Sequence, residues 1–150
     1  RAADANKPLS LRFPNATRPW QHVLDPLAGY LALAEQLLGS GQNVLPSTWN
    51  FGPDAAGTMP VRSVVGLIER ALGQTLHVVT ETDTHSPHEA GLLALDSSQA
   101  RSLLGWAPKW DVQEAVQRTV DWHQAWRGGA DMASFTRSQI ADYAQTSPLT

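Results

Sequence analysis

The run Arg18-Pro19-Trp20-Gln21-His22-Val23-Leu24-Asp25-Pro26 constrains the fold more than any other stretch of the chain. Pro19 fixes the chain direction directly after an arginine whose planar fork of donors suits bidentate phosphate recognition. Asp25-Pro26 then reads as the N-cap and first residue of a helix running to about Leu38. Leu27, Tyr30, Leu31, Ala34, Leu37 and Leu38 make one apolar stripe on it, and Gly39-Ser40-Gly41 closes it. By itself Arg18 reads equally as a surface arginine in a loop.

The punctuation further along implies a mostly helical chain with a few short strands. Pro8 to Phe13 alternates like a strand leaving a turn at Asn6-Lys7, and Pro14 to Thr17 is a turn signal. Trp20 to Val23 is expected to run extended, and Ser47 to Phe51 reads as a short buried strand. The loop over 52–57 leads to a second amphipathic helix over about 60–72, with Val61, Val64, Val65, Ile68 and Leu72 on one face and Gly73 as its stop. Leu76 to Thr80 reads as a strand and Glu81 to Pro87 as a loop.

Asp96-Ser97-Ser98-Gln99 and Asp111-Val112-Gln113-Glu114 both fit a capping box with aspartate as the cap. The first opens a short helix ending at Gly105. The second opens a long one that carries Val112, Ala115, Val116, Thr119, Val120, Trp122 and Trp126 inward, up to Gly128-Gly129. Asp131 caps a last helix to about Gln145, striped by Met132, Phe135, Ile140 and Tyr143. At 150 residues the chain has the size of one domain with a real core, and we read 1–150 as a single domain.

Composition removes several classes of function. The net charge of −3 comes from interleaved acidic and basic residues, with no basic stripe for nucleic acid. With no cysteine there are no disulfides or thiolate metal sites, which is compatible with a cytoplasmic location. No apolar run reaches the ~18 residues a membrane span needs. His85-Ser86-Pro87-His88-Glu89 superficially invites a metal, but Pro87 opposes the helix on which a two-histidine site would sit, and no third ligand is evident. No metal is therefore expected.

Four motifs in order carry a resemblance. Leu11-Arg12-Phe13-Pro14-Asn15-Ala16-Thr17-Arg18-Pro19-Trp20-Gln21-His22-Val23-Leu24 is the first, and Trp49-Asn50-Phe51-Gly52-Pro53 the second. Pro87-His88-Glu89-Ala90 with Leu95-Asp96-Ser97-Ser98-Gln99-Ala100 and Leu103-Leu104-Gly105-Trp106-Ala107-Pro108 is the third. Glu114-Ala115 to Thr119-Val120-Asp121-Trp122 is the fourth. Together, over about residues 9–126, they resemble the CDP-glucose 4,6-dehydratases of the extended short-chain dehydrogenase/reductase superfamily. Pro19-Trp20-Gln21 points to the CDP-glucose branch.

That resemblance implies an α/β fold of which this chain is the C-terminal substrate-binding lobe, without the N-terminal Rossmann half. No glycine-rich dinucleotide turn is present, and neither Tyr30 nor Tyr143 is followed four residues on by lysine. NAD and the catalytic Tyr/Lys pair are therefore expected in a preceding half, so that no catalytic or cofactor-binding residue lies here and the lobe alone is inactive and carries no cofactor. Its sequence Arg1-Ala2-Ala3-Asp4-Ala5 reads as the end of a helix. The implied parent is a lyase that converts CDP-glucose to CDP-4-keto-6-deoxyglucose, with an expected place in lipopolysaccharide O-antigen biosynthesis.

The substrate-binding residues implied are Ser10, Arg12, Arg18, Trp20, His22 and His88. Arg18 and Arg12 face the diphosphate, although Arg12 reads otherwise as an outward strand residue. Ser10 stands where relatives pass the base. Trp20 either stacks on a base or packs as core, and His22 either flanks the substrate or is structural. Related epimerases have Arg-x-Gly-Asp near His88; here the arginine position is Ser86, and His88 is the candidate replacement. The partners implied are a CDP-sugar and the dinucleotide-binding half, with a homodimer only for the full-length enzyme and an exposed apolar face on the isolated lobe. The alternatives are a GDP- or UDP-sugar dehydratase or epimerase, and a non-catalytic binding module.

Overall fold

The structure, a computed structural model, describes residues 4–5, 7–39, 46–81 and 90–149. Two small sheets, five α-helices and one turn of 3-10 helix (Ala55–Gly57) make up the fold of the described residues. In the first sheet, β1 (Leu9–Leu11) pairs in parallel with β4 (Val78–Thr80), Leu9 opposite Val78. In the second, β2 (Thr17–Pro19) pairs antiparallel with β3 (Thr58–Pro60), Arg18 opposite Met59. Residues 91–93 continue alongside β2, where Thr17 N–H donates to the Gly91 carbonyl and Leu93 N–H donates to the Thr17 carbonyl.

β2 corrects the expected extended run over 20–23. The strand lies three residues earlier, where β3 offers it a partner, and the chain leaves it at Trp20 for α1 (Leu24–Gly39). Ser47 to Phe51 also departs from expectation, since no strand forms there. Its backbone groups are satisfied by side chains instead: Gln99 donates to the Thr48 carbonyl at 2.8 Å and Gln21 to the Phe51 carbonyl at 2.7 Å. Without a neighbouring strand there is no ladder to join.

α1 turns its leucine stripe outward. Tyr30, Leu31, Leu37 and Leu38 are 57%, 67%, 62% and 90% exposed. The buried positions are Asp25 and Gly29, one turn apart, with Leu33 packed on the cluster of Phe51, Ala100 and Trp106. Gly29 lies so close to Phe51 that a Cβ there would clash with the ring.

α2 (Val61–Leu72) buries Val64 and Val65 and ends at Gly73 in the left-handed region, φ 67°, a conformation glycine adopts without strain. It packs on α4 (Val112–Arg127), which Asp111 caps by accepting from Glu114 N–H at 2.8 Å. α4 buries Ala115 and Val120 but leaves Trp126 54% exposed and Trp122 37% exposed, so those two tryptophans do not turn inward as the periodicity implied.

α3 (Ser98–Leu104) begins one residue later than a cap at Asp96 would place it. Ser97 is its cap residue, and its buried hydroxyl accepts from Gly52 N–H at 2.7 Å rather than from the helix. α5 (Met132–Gln145) is capped by Asp131 as expected. Its buried residues are Gln139 and Tyr143, whereas Ile140 is half exposed. Gln139 donates to the Arg118 carbonyl at 2.8 Å, and that bond is what makes a buried amide tolerable.

Candidate functional site

β1 and β4 position the first candidate site. Leu11 stands opposite Thr80, and Glu81 N–H donates to the Leu11 carbonyl at 3.0 Å, extending the pairing by one residue. Ser10 Oγ donates to Glu81 Oε1 across the pair. Ser10, Arg12, Phe13, Ala16, Val61 and Glu81 line a cleft of about 250 Å³. Two of the residues named from sequence, Ser10 and Arg12, thus meet at one place.

Arg18 sits on β2, two residues beyond Ala16. It is half-buried, and its Nη1 donates to the Thr17 carbonyl at 2.8 Å and to the Ala90 carbonyl at 2.9 Å. The guanidinium therefore ties residue 90 to β2. Its fork carries five donors, and one nitrogen serves both of these carbonyls.

Trp20 and His22 point elsewhere in the fold. Trp20 Nε1 donates to the Met59 carbonyl at 3.0 Å, and its ring lines an apolar groove between α2 and α4 with Ile68, Val116 and Val120. His22 is 7% exposed, with its ring 4.8 Å from that of Trp110 in an edge-to-face contact. Its Nδ1 accepts from Leu24 N–H at 3.2 Å, at the start of α1. Burial above all, and then the charge of Arg118, pushes its pKa below the usual histidine value, which keeps the acceptor lone pair. His88 lies outside the described residues, as do Ser86 and Glu89.

The residue that sequence reasoning misplaced is Asp25. It is not a cap but a fully buried carboxylate, 0% exposed. Its Oδ1 accepts from Lys109 N–H and from Tyr143 Oη, both at 2.8 Å, and its backbone carbonyl accepts from Trp106 Nε1 at 3.0 Å. Burial raises its pKa, opposed by those hydrogen bonds. The Tyr143 hydroxyl is pushed up by burial and by the carboxylate beside it. The signal was present in two separate motifs, Arg18 to Pro26 and Leu103 to Pro108, whose contact in space no spacing reveals.

Among the described residues no cluster of three His, Asp or Glu side chains forms a metal site, and no helix is long and apolar enough to cross a membrane.

The mostly helical fold with short strands is like that of part of solved sugar-nucleotide epimerases. The UDP-glucuronic acid 4-epimerase of Bacillus cereus, solved in complex with NAD, superposes with a TM-score of 0.68 over 87% of this chain and 38% of that one, at 19% identity. In sequence the chain is similar to CDP-glucose 4,6-dehydratase of Salmonella typhimurium, with 38% identity over 143 residues, 95% of this chain. It is also similar to UDP-glucose 4-epimerase of Rhizobium leguminosarum bv. trifolii, with 30% identity over 110 residues, 71% of this chain. The chain spans 39% of the dehydratase and 30% of the epimerase. No protein-family profile matches it.

Proposed function

We propose that this chain is the substrate-binding portion of an NAD-dependent sugar-nucleotide 4,6-dehydratase that acts on CDP-glucose. The observation that carries the reading is the 38% identity with CDP-glucose 4,6-dehydratase along nearly the whole chain. The cleft beside β1 supports it, because it gathers a hydroxyl, a carboxylate and a guanidinium at a recess of base size. In this reading Ser10 faces the base, and Arg12 and Arg18 face the diphosphate. Each charge-assisted contact contributes on the order of 1.5–3 kcal/mol.

Trp20 and His22 act at one remove. Trp20 holds β3 through Met59, and His22 fixes the entry into α1, so both set the backbone that presents Arg18. His88 is the remaining candidate for the diphosphate.

The residues present do not fit NAD. The chain has no glycine-rich turn and no Tyr-x-x-x-Lys pair. The proposal therefore assigns the dinucleotide, and with it every redox step, to a further half of the enzyme, and assigns to this chain binding and orientation alone. The chain by itself is then inactive, and a cytoplasmic homodimer belongs to the full-length enzyme. The outward leucines of α1 are the surface against which that half packs.

A second reading, a UDP-sugar epimerase, is favoured by the 30% identity with UDP-glucose 4-epimerase. Calorimetric titration of this chain with CDP, UDP and GDP separates the two, with Arg18→Ala in parallel. CDP-selective binding that weakens about tenfold or more in the variant supports the dehydratase reading. Preference for UDP supports the epimerase, and no binding of any nucleotide refutes a clamp formed within this chain.

A further inference from the structure

We propose that Glu81 reads the 4-position of the pyrimidine and so selects cytosine over uracil, an inference that rests on the function proposed above. The cleft is about 250 Å³, somewhat below the ~300–1,000 Å³ of pockets that hold a whole drug-sized ligand. It accommodates a base while the sugar and phosphates extend out of it.

Glu81 is held at this cleft from two directions. Its N–H donates to the Leu11 carbonyl, and its carboxylate accepts from the Ser10 hydroxyl on the neighbouring strand. A carboxylate is an acceptor with about four lone-pair sites, of which Ser10 takes one. Cytosine and uracil differ at two adjacent edge positions. C4 carries an amino donor in cytosine and a carbonyl acceptor in uracil, and N3 is an acceptor in cytosine and an N–H donor in uracil. The contact assigned to Glu81 is the one at C4. An acceptor-only group pairs with the amine and opposes the carbonyl, as when glutamate or aspartate accepts from cytosine N4 in nucleic-acid recognition. Arg12 lines the same cleft with the opposite charge, which suits the phosphate side of the ligand and leaves Glu81 as the carboxylate lining the cleft.

At C4 a carboxylate gives the site both attraction to the amine and rejection of the carbonyl, and a site built to meet the 4-amino group discriminates against an analogue that carries an oxygen there. The effect of substitution at this position is therefore directional. Glu81→Gln presents both an acceptor and a donor and tolerates either base, whereas Glu81→Lys presents donors only and favours uracil.

The test measures kcat/KM for CDP-glucose and UDP-glucose in the intact enzyme, for the wild type, Glu81→Gln and Glu81→Lys, with folding checked by circular dichroism. The wild type is expected to prefer CDP-glucose. Glu81→Gln narrows that preference at least about tenfold, with most of the change in KM, and Glu81→Lys reverses it. If the Lys variant does not fold, the Gln variant decides alone. An unchanged ratio in a folded Gln variant overturns the role of Glu81 and leaves the proposed function standing. A wild type with no preference for CDP-glucose overturns the proposed function, and this inference with it.

Discussion

Asp25 ties three parts of the chain together with one side chain. Its carboxylate holds Lys109 N–H and the Tyr143 hydroxyl, while its carbonyl holds the Trp106 indole. Asp25→Ala would leave two buried donors unpaired, which costs about 2–4 kcal/mol and would appear as a lower urea midpoint with unchanged slope. The pH dependence has a definite sign. Burial raises the folded-state pKa above the unfolded value of about 3.9. The native state then binds the extra proton, so this residue's contribution is fully present below that value and is lost as pH rises through the folded pKa. The stability of the wild type relative to Asp25→Asn should therefore fall as pH rises from about 4. A difference that is flat with pH would contradict it.

His22 has the opposite sign. Its folded pKa is depressed, so its contribution is present above about 6.5 and lost as pH falls toward the folded value. In His22→Asn, whose side-chain oxygen keeps an acceptor for Leu24 N–H, the loss of stability between pH 7 and 5 should be smaller than in the wild type. Equilibrium unfolding at the two pH values measures it.

At the scale of elements, the helices were legible because their signals are local. Gly73 and Gly105 mark the ends of α2 and α3, and Asp111 and Asp131 cap α4 and α5 where the sequence puts them. What local signals do not carry is which face meets the core. On α1 the leucines supply the periodicity, but the packed face is Asp25, Gly29 and Leu33, chosen by the rings of Phe51 and Trp106 and not by hydrophobicity. Gly29→Ala drives a methyl into Phe51 and should destabilise the chain by about 1–3 kcal/mol. Leu31→Lys with Leu38→Lys should leave the midpoint within ~0.5 kcal/mol of wild type while reducing self-association in sedimentation, because both side chains face outward. A large loss of stability would show that the stripe is packed after all.

The strands were less legible, for a related reason. Thr17–Pro19 becomes a strand because Thr58–Pro60 lies beside it, and Ser47 to Phe51 does not because nothing does. Of the site, Ser10 and Arg12 could be named from the resemblance, and the structure brings them to one cleft. Glu81 could not, since only the parallel pairing of β1 with β4 puts it beside Ser10.

At the scale of the whole molecule, that pairing has a consequence for how the chain reaches its final form. Leu9 and Val78 stand opposite each other although roughly 70 residues separate them. Helices close over a few residues and form early; a ladder between such distant segments has to wait until the chain between them is ordered. A chain refolding from denaturant should therefore regain far-ultraviolet ellipticity before the cleft beside β1 forms. The cleft comes into existence only when that long loop closes, so it is lost whenever the ends of the loop drift apart.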